Sequence, residues 1–170
     1  CPNDKVIEEL TPVIVKRTDE YTVYDAGKNI SGFPVIKFSG EPREIVVRFS
    51  ECLNENNDLD EAHMHKQEFD IKTGGYEGIA KAEMMWFGFR YFTVKGECEV
   101  LGVRVSHSDV KCSSSFECSN DVLNWVYKTY KHTQLTNMHY GMPSDCPHIE
   151  RRGYTGDGQL TCRAAMRAFD

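Results

Sequence analysis

The stretch Ile45-Val-Val-Arg-Phe49 carries the pattern from which the fold is predicted. Its first, third and fifth residues are large and apolar, whereas Glu44, Val46 and Arg48 alternate with them. Successive side chains of a strand point to opposite faces of a sheet, so this alternation predicts a strand with one face in the core. The stretch Leu101-Gly-Val-Arg-Val105 repeats the pattern and predicts a second such strand.

Short runs of this kind, separated by turn residues, continue from about Val13 to Val110. The further candidate strands are Val13–Val15, Tyr21–Tyr24, Val35–Phe38, Phe69–Ile71 and Phe89–Val94. The candidate turns are Gly27–Gly32, Gly40–Pro42, Asn54–Asp60, Thr73–Gly78 and Gly96. Because no helical period intervenes, the pattern predicts a mainly β fold, an antiparallel and jelly-roll-like β-sandwich, and not an α/β sheet.

Beyond Cys112 the period of the apolar residues changes from two to 3.6. Ser119 is the predicted N-cap of a long helix that runs to about His139. Val122 and Val126 begin an apolar stripe on this helix, and such a stripe has to be buried against another surface. If nothing covers it, the chain is expected to associate with itself.

A second helix is predicted to begin near residues 155–157 and to run to the C-terminus, because an acid in the first turn favours the positive end of the helix dipole. The sequence therefore predicts a sandwich domain at residues 1–112. Residues 113–170 are expected to form the first two helices of a helical domain that is truncated here.

Composition and charge exclude several classes of function. With 40% hydrophobic and 27% charged residues, the 170-residue chain has the composition of a globular protein, and no apolar run approaches the roughly 20 residues that span a bilayer. Its formal charge of −6 and scattered basic residues argue against a nucleic-acid partner. His63 and His65 lie in a polar, acidic loop that a solvated surface explains, so neither a metal nor another cofactor is predicted.

The seven cysteines include no CxxC pair and are odd in number, so a disulfide framework is not expected. Most are interpreted as small buried hydrophobes in a reducing compartment, although a bridge between Cys112 and Cys118 stays open. The chain starts at Cys1 without a signal-like apolar region. A cytoplasmic and a periplasmic location therefore both remain possible readings.

Residues 144–159, Ser-Asp-Cys-Pro-His-Ile-Glu-Arg-Arg-Gly-Tyr-Thr-Gly-Asp-Gly-Gln, hold the candidate chemistry. Asp145, Glu150 and Asp157 are interrupted by proline and glycines, so they cannot share one face of a regular helix and are expected to converge from a loop and its flanking helix ends. Taken alone, these carboxylates also suit helix capping and salt bridges with Arg151 and Arg152. A thiol nucleophile at Cys146, assisted by His139 or His148, is a weaker reading because no oxyanion motif accompanies it.

Several segments resemble the bacterial α-L-rhamnosidases of glycoside hydrolase family 78. The motif at residues 144–159 is similar to the family's Thr-Asp-Cys-Pro-x-x-Glu-Arg-x-Gly-Trp-x-Gly-Asp-x-Gln. Asp25-Ala-Gly-Lys-Asn-Ile-Ser-Gly-Phe33, Phe49-Ser-Glu-Cys-Leu53, Phe87-Gly-Phe-Arg-Tyr91 and Phe116-Glu-Cys-Ser-Asn120 resemble four further family segments. The resemblance covers nearly the whole chain.

The resemblance implies a β-sandwich packed against an (α/α)6 barrel that hydrolyses terminal α-L-rhamnose with inversion. Glu150 is then the general acid, whose pKa the neighbouring carboxylates are expected to raise and Arg151 and Arg152 to lower, and Asp145 and Asp157 bind rhamnose hydroxyls. Arg151 helps to orient this cluster. Inversion also needs a base roughly 6.5 to 9.5 Å from the acid, and the family's base is a Glu further along the chain, beyond residue 170.

Three residues depart from the family pattern: Tyr154 replaces Trp, Ile149 stands where a basic residue is common, and Phe87 replaces His. None of these changes removes an acid. They bear on substrate preference, with Tyr154 expected to alter stacking in a sugar subsite, more than on the class of reaction.

The alternative function is a noncatalytic carbohydrate-binding or scaffolding sandwich. Against it, the acids follow the sandwich and do not lie on its loops. Asp25, Asn29 and Gly32 are interpreted as turn formers, and the Phe87–Tyr91 aromatics as core and not as a sugar-stacking platform.

Overall fold

The computed structural model describes residues 2–149 and 151–170. The strands of these residues are β1 (Asp4–Leu10), β2 (Val13–Arg17), β3 (Tyr21–Phe38), β4 (Glu44–Ser50), β5 (Glu68–Lys72), β6 (Gly78–Lys81), β7 (Phe87–Lys95), β8 (Glu99–Ser108), β9 (Met138–His139) and β10 (Met142–Pro143). The helices are α1 (Asp121–Thr136) and α2 (Thr155–Ala168), with a 3₁₀ turn at Glu61–His63.

The chain divides into two compact units. Val6–Ser106 form one, and the residues up to Lys5 together with His107–Asp170 form the other. The first unit is built of strands, and the second contains both helices. The sequence-based domain boundary at residue 112 stays a prediction.

Strand β3 organises the sheet. The main strand order is β1-β8-β3-β7-β4-β5, and β2 and β6 also pair with β3. Strand β3 is antiparallel to each of β2, β6, β7 and β8. The N-terminal half of β3 lies between β2 and β7, whereas its C-terminal half pairs with β6 and β8. The strand therefore passes from one layer of the sandwich to the other, and the predicted antiparallel sandwich is confirmed.

Phenylalanines dominate the space between the layers. Phe49 stacks on Phe87 with ring centroids 4.1 Å apart, and Phe89 lies 4.8 Å from Phe49. All three are fully buried, and each contributes on the order of 2 kcal/mol through burial. The interpretation of Phe87 and Phe89 as core residues is confirmed, whereas Tyr91 is partly exposed under the Arg90 guanidinium.

The predicted turn at Gly27–Gly32 is wrong, because this stretch continues β3. The chain changes register against β7 between Asp25 and Ile30, and that irregularity contains Gly27, whose φ is 87°. Gly32 is needed for close approach: a Cβ at this position would lie 2.0 Å from the Arg104 carbonyl oxygen of the neighbouring strand.

Helix α2 begins where it was predicted, but both ends of α1 differ. Asn120, and not Ser119, is the N-cap, since its side-chain oxygen accepts hydrogen bonds from the Val122 and Leu123 amides. The helix ends at Thr136, because Met138 and His139 form β9. Within the described residues, no helix is long and apolar enough to cross a membrane.

Candidate active site at residues 144 to 159

The motif follows a tight hairpin formed by β9 and β10. Met142 pairs with His139 and Pro143 with Met138. Tyr140 and Gly141 form the tip with φ values of 52° and 74°, the left-handed conformation that a two-residue hairpin turn requires at both positions. A tyrosine adopts this conformation only at a cost, so its surroundings have to hold it there.

Asp4 and Ser108 hold the tip of this hairpin. One carboxylate oxygen of Asp4 accepts a hydrogen bond from the Tyr140 amide at 2.7 Å, and the Ser108 hydroxyl accepts one from the Gly141 amide at 2.7 Å. The other Asp4 oxygen lies 2.5 Å from Nδ1 of His139, whose side chain is almost completely buried. Since a carboxylate can only accept, Nδ1 carries the proton.

The base of the same hairpin closes the loop that carries the motif. Ser144 donates its amide hydrogen to the Asn137 carbonyl at 2.8 Å and forms an isolated bridge with Gly153. Gly153 packs so tightly that a Cβ there would lie 2.8 Å from Cε of Met142. Ser144 and Gly153, which bracket the motif residues 145–149 and 151–152, are therefore both held against the hairpin.

The predicted acids occupy different parts of this arrangement. Glu150 lies outside the described residues. Asp145 is exposed at the start of the loop, where its carboxylate accepts a hydrogen bond from the Cys146 amide at 2.7 Å. Asp157 is half-buried in the first turn of α2, and the next residue, Gly158, lies near β10, since a Cβ added there would be 3.8 Å from Cγ of Pro143. One hairpin thus anchors both the loop and the start of the helix.

Arg151 and Tyr154 flank the point where the loop returns. Arg151 is half-buried with φ at 53°, and burial lowers the pKa of its guanidinium below the ordinary value. An arginine remains charged even so, so it supplies a fixed positive charge next to the acids in the sequence. Tyr154 occupies the N-cap position of α2 without a capping hydrogen bond from its side chain, and the residue is 45% exposed. An exposed ring of this kind is suited to contact with a sugar face.

The thiol alternative is not supported. Burial raises the pKa of the Cys146 thiol above its ordinary value, which disfavours the thiolate that a nucleophile needs. His139, one of its suggested partners, is bonded to Asp4. The bridge that was left open is not formed, because Cys112 and Cys118 are free thiols that point to the carbonyls of Ser114 and Asn120.

The structure also shows the surroundings of His63 and Asp25, two polar residues of the sandwich that the sequence singled out. Among the described residues, no group of three or more His, Cys, Asp and Glu is arranged to hold a metal ion, and His63 Nδ1 lies 3.1 Å from the Asp60 carboxylate. Arg90 donates two hydrogen bonds to the Asp25 carboxylate, at 3.0 and 2.9 Å. Asp25 and Arg90, from two of the family-like segments, are thus a structural pair between β3 and β7.

The sandwich carries a groove of about 380 Å³ between its outer face and the loop after β4. Two of its polar lining residues are bonded to each other: Asp58 accepts a hydrogen bond from the Tyr21 hydroxyl, and it also accepts one from the Lys16 ammonium outside the groove, each at 2.7 Å. Tyr21, the aromatic residue of this lining, has its hydroxyl engaged there and offers no evident stacking platform. The groove gives little support to the carbohydrate-binding alternative.

Sequence reasoning missed Asp4 and Ser108 because both lie far from the motif in the chain. Asp4 precedes His139 by 135 positions, and nothing in its neighbourhood distinguishes it from other acids of an edge strand. His139 was noticed only for its nearness to the motif and was assigned to the wrong element.

Comparison with known proteins places both parts of the chain in one family. Residues 15–112 match the model of the bacterial α-L-rhamnosidase concanavalin-like domain. Residues 111–170 match the model of the bacterial α-L-rhamnosidase six-hairpin glycosidase domain. A curated α-L-rhamnosidase from Formosa agariphila is 28% identical over 193 aligned positions, which cover 99% of this chain and 19% of the relative.

Solved structures agree with this result. The α-L-rhamnosidase from Dictyoglumus thermophilum superposes with a TM-score of 0.87 at 26% identity, covering 100% of this chain and 20% of that protein. The enzyme from Streptomyces avermitilis, solved with L-rhamnose, gives a TM-score of 0.81 at 22% identity, over 99% of this chain and 17% of the other, and supports the fold. The chain thus spans about a fifth of the length of the relatives that it matches.

Proposed function

The chain belongs to the bacterial α-L-rhamnosidase family, and from that premise we propose that it forms part of a glycoside hydrolase that removes terminal α-L-rhamnose by inverting hydrolysis. The observation that carries the proposal is the motif of residues 144–159, held by the β9–β10 hairpin inside the segment that matches the glycosidase domain. The substrate is a rhamnose-containing glycoside or oligosaccharide, and the reaction requires no cofactor.

Glu150 is the proposed general acid. It donates a proton to the leaving oxygen as the glycosidic bond breaks, which requires a carboxyl group that is still protonated near neutral pH. Asp145 and Asp157 carry negative charge on the same segment and favour the protonated form of a neighbouring acid. The proposed base, which activates the attacking water, is supplied by a part of the protein outside residues 1–170.

The other motif residues bind and orient the sugar. Asp145 and Asp157 accept hydrogen bonds from rhamnose hydroxyls, and the exposure of Asp145 and the place of Asp157 in the first turn of α2 support this role. Arg151 orients the carboxylates through its charge, and the exposed ring of Tyr154 contacts the sugar face. The remaining part of the catalytic domain is the partner that completes the cleft, so the 170-residue chain alone is expected to be inactive.

The test compares the full-length wild-type protein with Glu150→Gln on two rhamnosides. The amide keeps the shape of the side chain but has no proton to transfer. On an alkyl rhamnoside, whose leaving group needs protonation, kcat/KM is expected to fall by about 10²- to 10⁴-fold. On p-nitrophenyl α-L-rhamnoside the fall is expected to be much smaller, because p-nitrophenolate leaves without help.

The matched control is Glu55→Gln, which removes a carboxylate from an exposed turn of the sandwich. It should leave both substrates unaffected. Equal losses on the two substrates would remove Glu150 from the acid role, and full activity of the variant would refute the site assignment. If the wild type were inactive on rhamnosides but active on another glycoside, the sugar assignment would be wrong.

A further inference from the structure

A hydrogen-bonded cluster outside the motif, centred on the buried side chains of Asp4 and His139, holds the hairpin that precedes the motif. This cluster, the Asp4 joint, consists of Asp4, Ser108, His139, Tyr140 and Gly141. The Asp4 side chain is 11% exposed and that of His139 is 4% exposed. All five residues lie in the unit that contains the motif.

The joint uses both oxygens of one carboxylate. Oδ2 accepts a hydrogen bond from Nδ1–H of His139, while Oδ1 accepts one from the Tyr140 amide at 2.7 Å and one from the Ser108 hydroxyl at 3.4 Å. The Ser108 oxygen in turn accepts from the Gly141 amide. Two successive backbone amides of the turn, both in residues with positive φ, are therefore satisfied from outside the hairpin.

The fixed hairpin transmits this constraint to the motif over a short distance. His139 and Met142 are a paired position of β9 and β10, and Ser144 follows directly with its bonds to Asn137 and Gly153. Ser144 and Gly153, at the two ends of the motif, are therefore tied to this hairpin.

We propose that Asp4 and His139 are positioning residues for hydrolysis, which hold the β9–β10 hairpin and, through Ser144 and Gly153, the two ends of the motif that contains the proposed general acid. This role rests on the proposed function. Neither residue touches substrate in the proposal; each acts through the hairpin. Misplacement of a reacting group by about 1 Å can reduce a rate by 10²-fold, so a loose hairpin should reduce proton transfer without abolishing sugar binding.

Two readouts on the full-length protein test the joint. The first is hydrogen–deuterium exchange of peptides that cover residues 138–154, which reports on the hairpin without reference to activity. The second is the ratio of kcat/KM on the p-nitrophenyl and alkyl rhamnosides. Asp4→Ala and His139→Leu are expected to accelerate exchange in these peptides alone and to lower activity about 10- to 100-fold on the alkyl rhamnoside, with a smaller loss on the aryl one.

Conservative variants separate positioning from misfolding. His139→Asn keeps an N–H donor at the place of Nδ1, and Asp4→Asn keeps an oxygen for the Tyr140 amide, so both should recover most of the exchange protection. His139→Asn should also return activity to within about threefold of wild type. Glu117→Ala is the matched control, because it removes an exposed carboxylate of the same unit that lies outside the joint.

Unchanged exchange in residues 138–154 after Asp4→Ala and His139→Leu would overturn the joint, as would equal losses on the two substrates. If Glu150→Gln fails its own test while these variants still loosen the hairpin, the joint stands as a structural device and the proposed acid does not. If the variants leave the hairpin protected while Glu150→Gln behaves as an acid variant, only the positioning role is lost.

Discussion

Cys98 illustrates how burial sets the chemistry of a single residue. It packs against the sandwich core, and desolvation raises the pKa of its thiol to about 11, although the Arg43 charge opposes the shift. At pH 8 the native thiol then carries far less thiolate than a free cysteine of pKa near 8.5. A thiolate of higher pKa is more nucleophilic, but this gain offsets only part of the loss in the fraction of thiolate.

We therefore expect Cys98 to be alkylated by iodoacetamide at pH 8 on the order of tenfold more slowly in the native chain than in the same chain unfolded in urea. Mass spectrometry of the Cys98 peptide gives both rates, and the unfolded chain serves as the control for this cysteine. Equal rates in the two states would show that the thiol is not buried as described.

Residues whose roles depend on neighbours along the chain could be predicted, and those that depend on distant ones could not. Asp157 is in the first turn of α2 as expected, since a helix start is a local signal. Gly32 was assigned to a turn because glycine permits turns, yet its reason for being glycine is the carbonyl of Arg104. Asp4 belongs to the same class, because only the fold brings it to His139.

At the scale of elements, the start of α1 shows which of two neighbouring residues, Ser119 or Asn120, is the helix N-cap. The Asn120 side chain accepts hydrogen bonds at 3.0 and 3.2 Å from the first free amides of the helix, and Ser119 is not the cap. Sequence alone ranks serine and asparagine about equally as caps, so it could not choose between adjacent residues.

Asn120→Ala is expected to lower the free energy of unfolding of the helical unit by about 1 kcal/mol, because two amides at the helix start lose their acceptor. Ser119→Ala is the matched control and should change it by a few tenths at most. Urea unfolding followed by circular dichroism at 222 nm provides the comparison. A larger loss for the serine variant would place the cap at Ser119.

The strands show the same division between local and distant causes. The alternating runs that became β4 and β8 were predicted because each has one face in the core. The edge strand β1 was missed, since Val6 and Ile7 are 44% and 48% exposed and no alternation is imposed on it. The unbroken β3 was also missed, because the switch of partners that bends it is a property of the sheet.

At the scale of the whole molecule, the helices expose apolar surface that a self-contained domain would bury. Val122, Trp125 and Val126 on α1 are 65%, 64% and 48% exposed, and Leu160 and Met166 on α2 are 85% and 79% exposed. The stripe predicted on α1 is therefore present but uncovered within the described residues. The chain spans about a fifth of the length of the relatives that it matches. In those longer proteins, further residues are available to cover such a face.

Apolar faces of this kind associate in water because burial releases about 25 cal/mol for each Å² covered. We expect the isolated 170-residue chain to self-associate in a concentration-dependent way, as measured by sedimentation velocity. The double substitution Val122→Lys and Trp125→Lys should shift it toward monomer, whereas Lys128→Ala, an exposed polar position of α1, should not.

The same pair of lysine substitutions should act in the opposite sense on the full-length protein, where the proposed remainder of the catalytic domain covers the face. There it places two charges in a packed interface, so the melting temperature and the rhamnoside activity should both fall. A monomeric wild-type chain at all concentrations would refute the association. A full-length protein that tolerates both lysines would show that the face stays exposed, and would leave the helices of this chain without the packing that an (α/α)6 barrel demands.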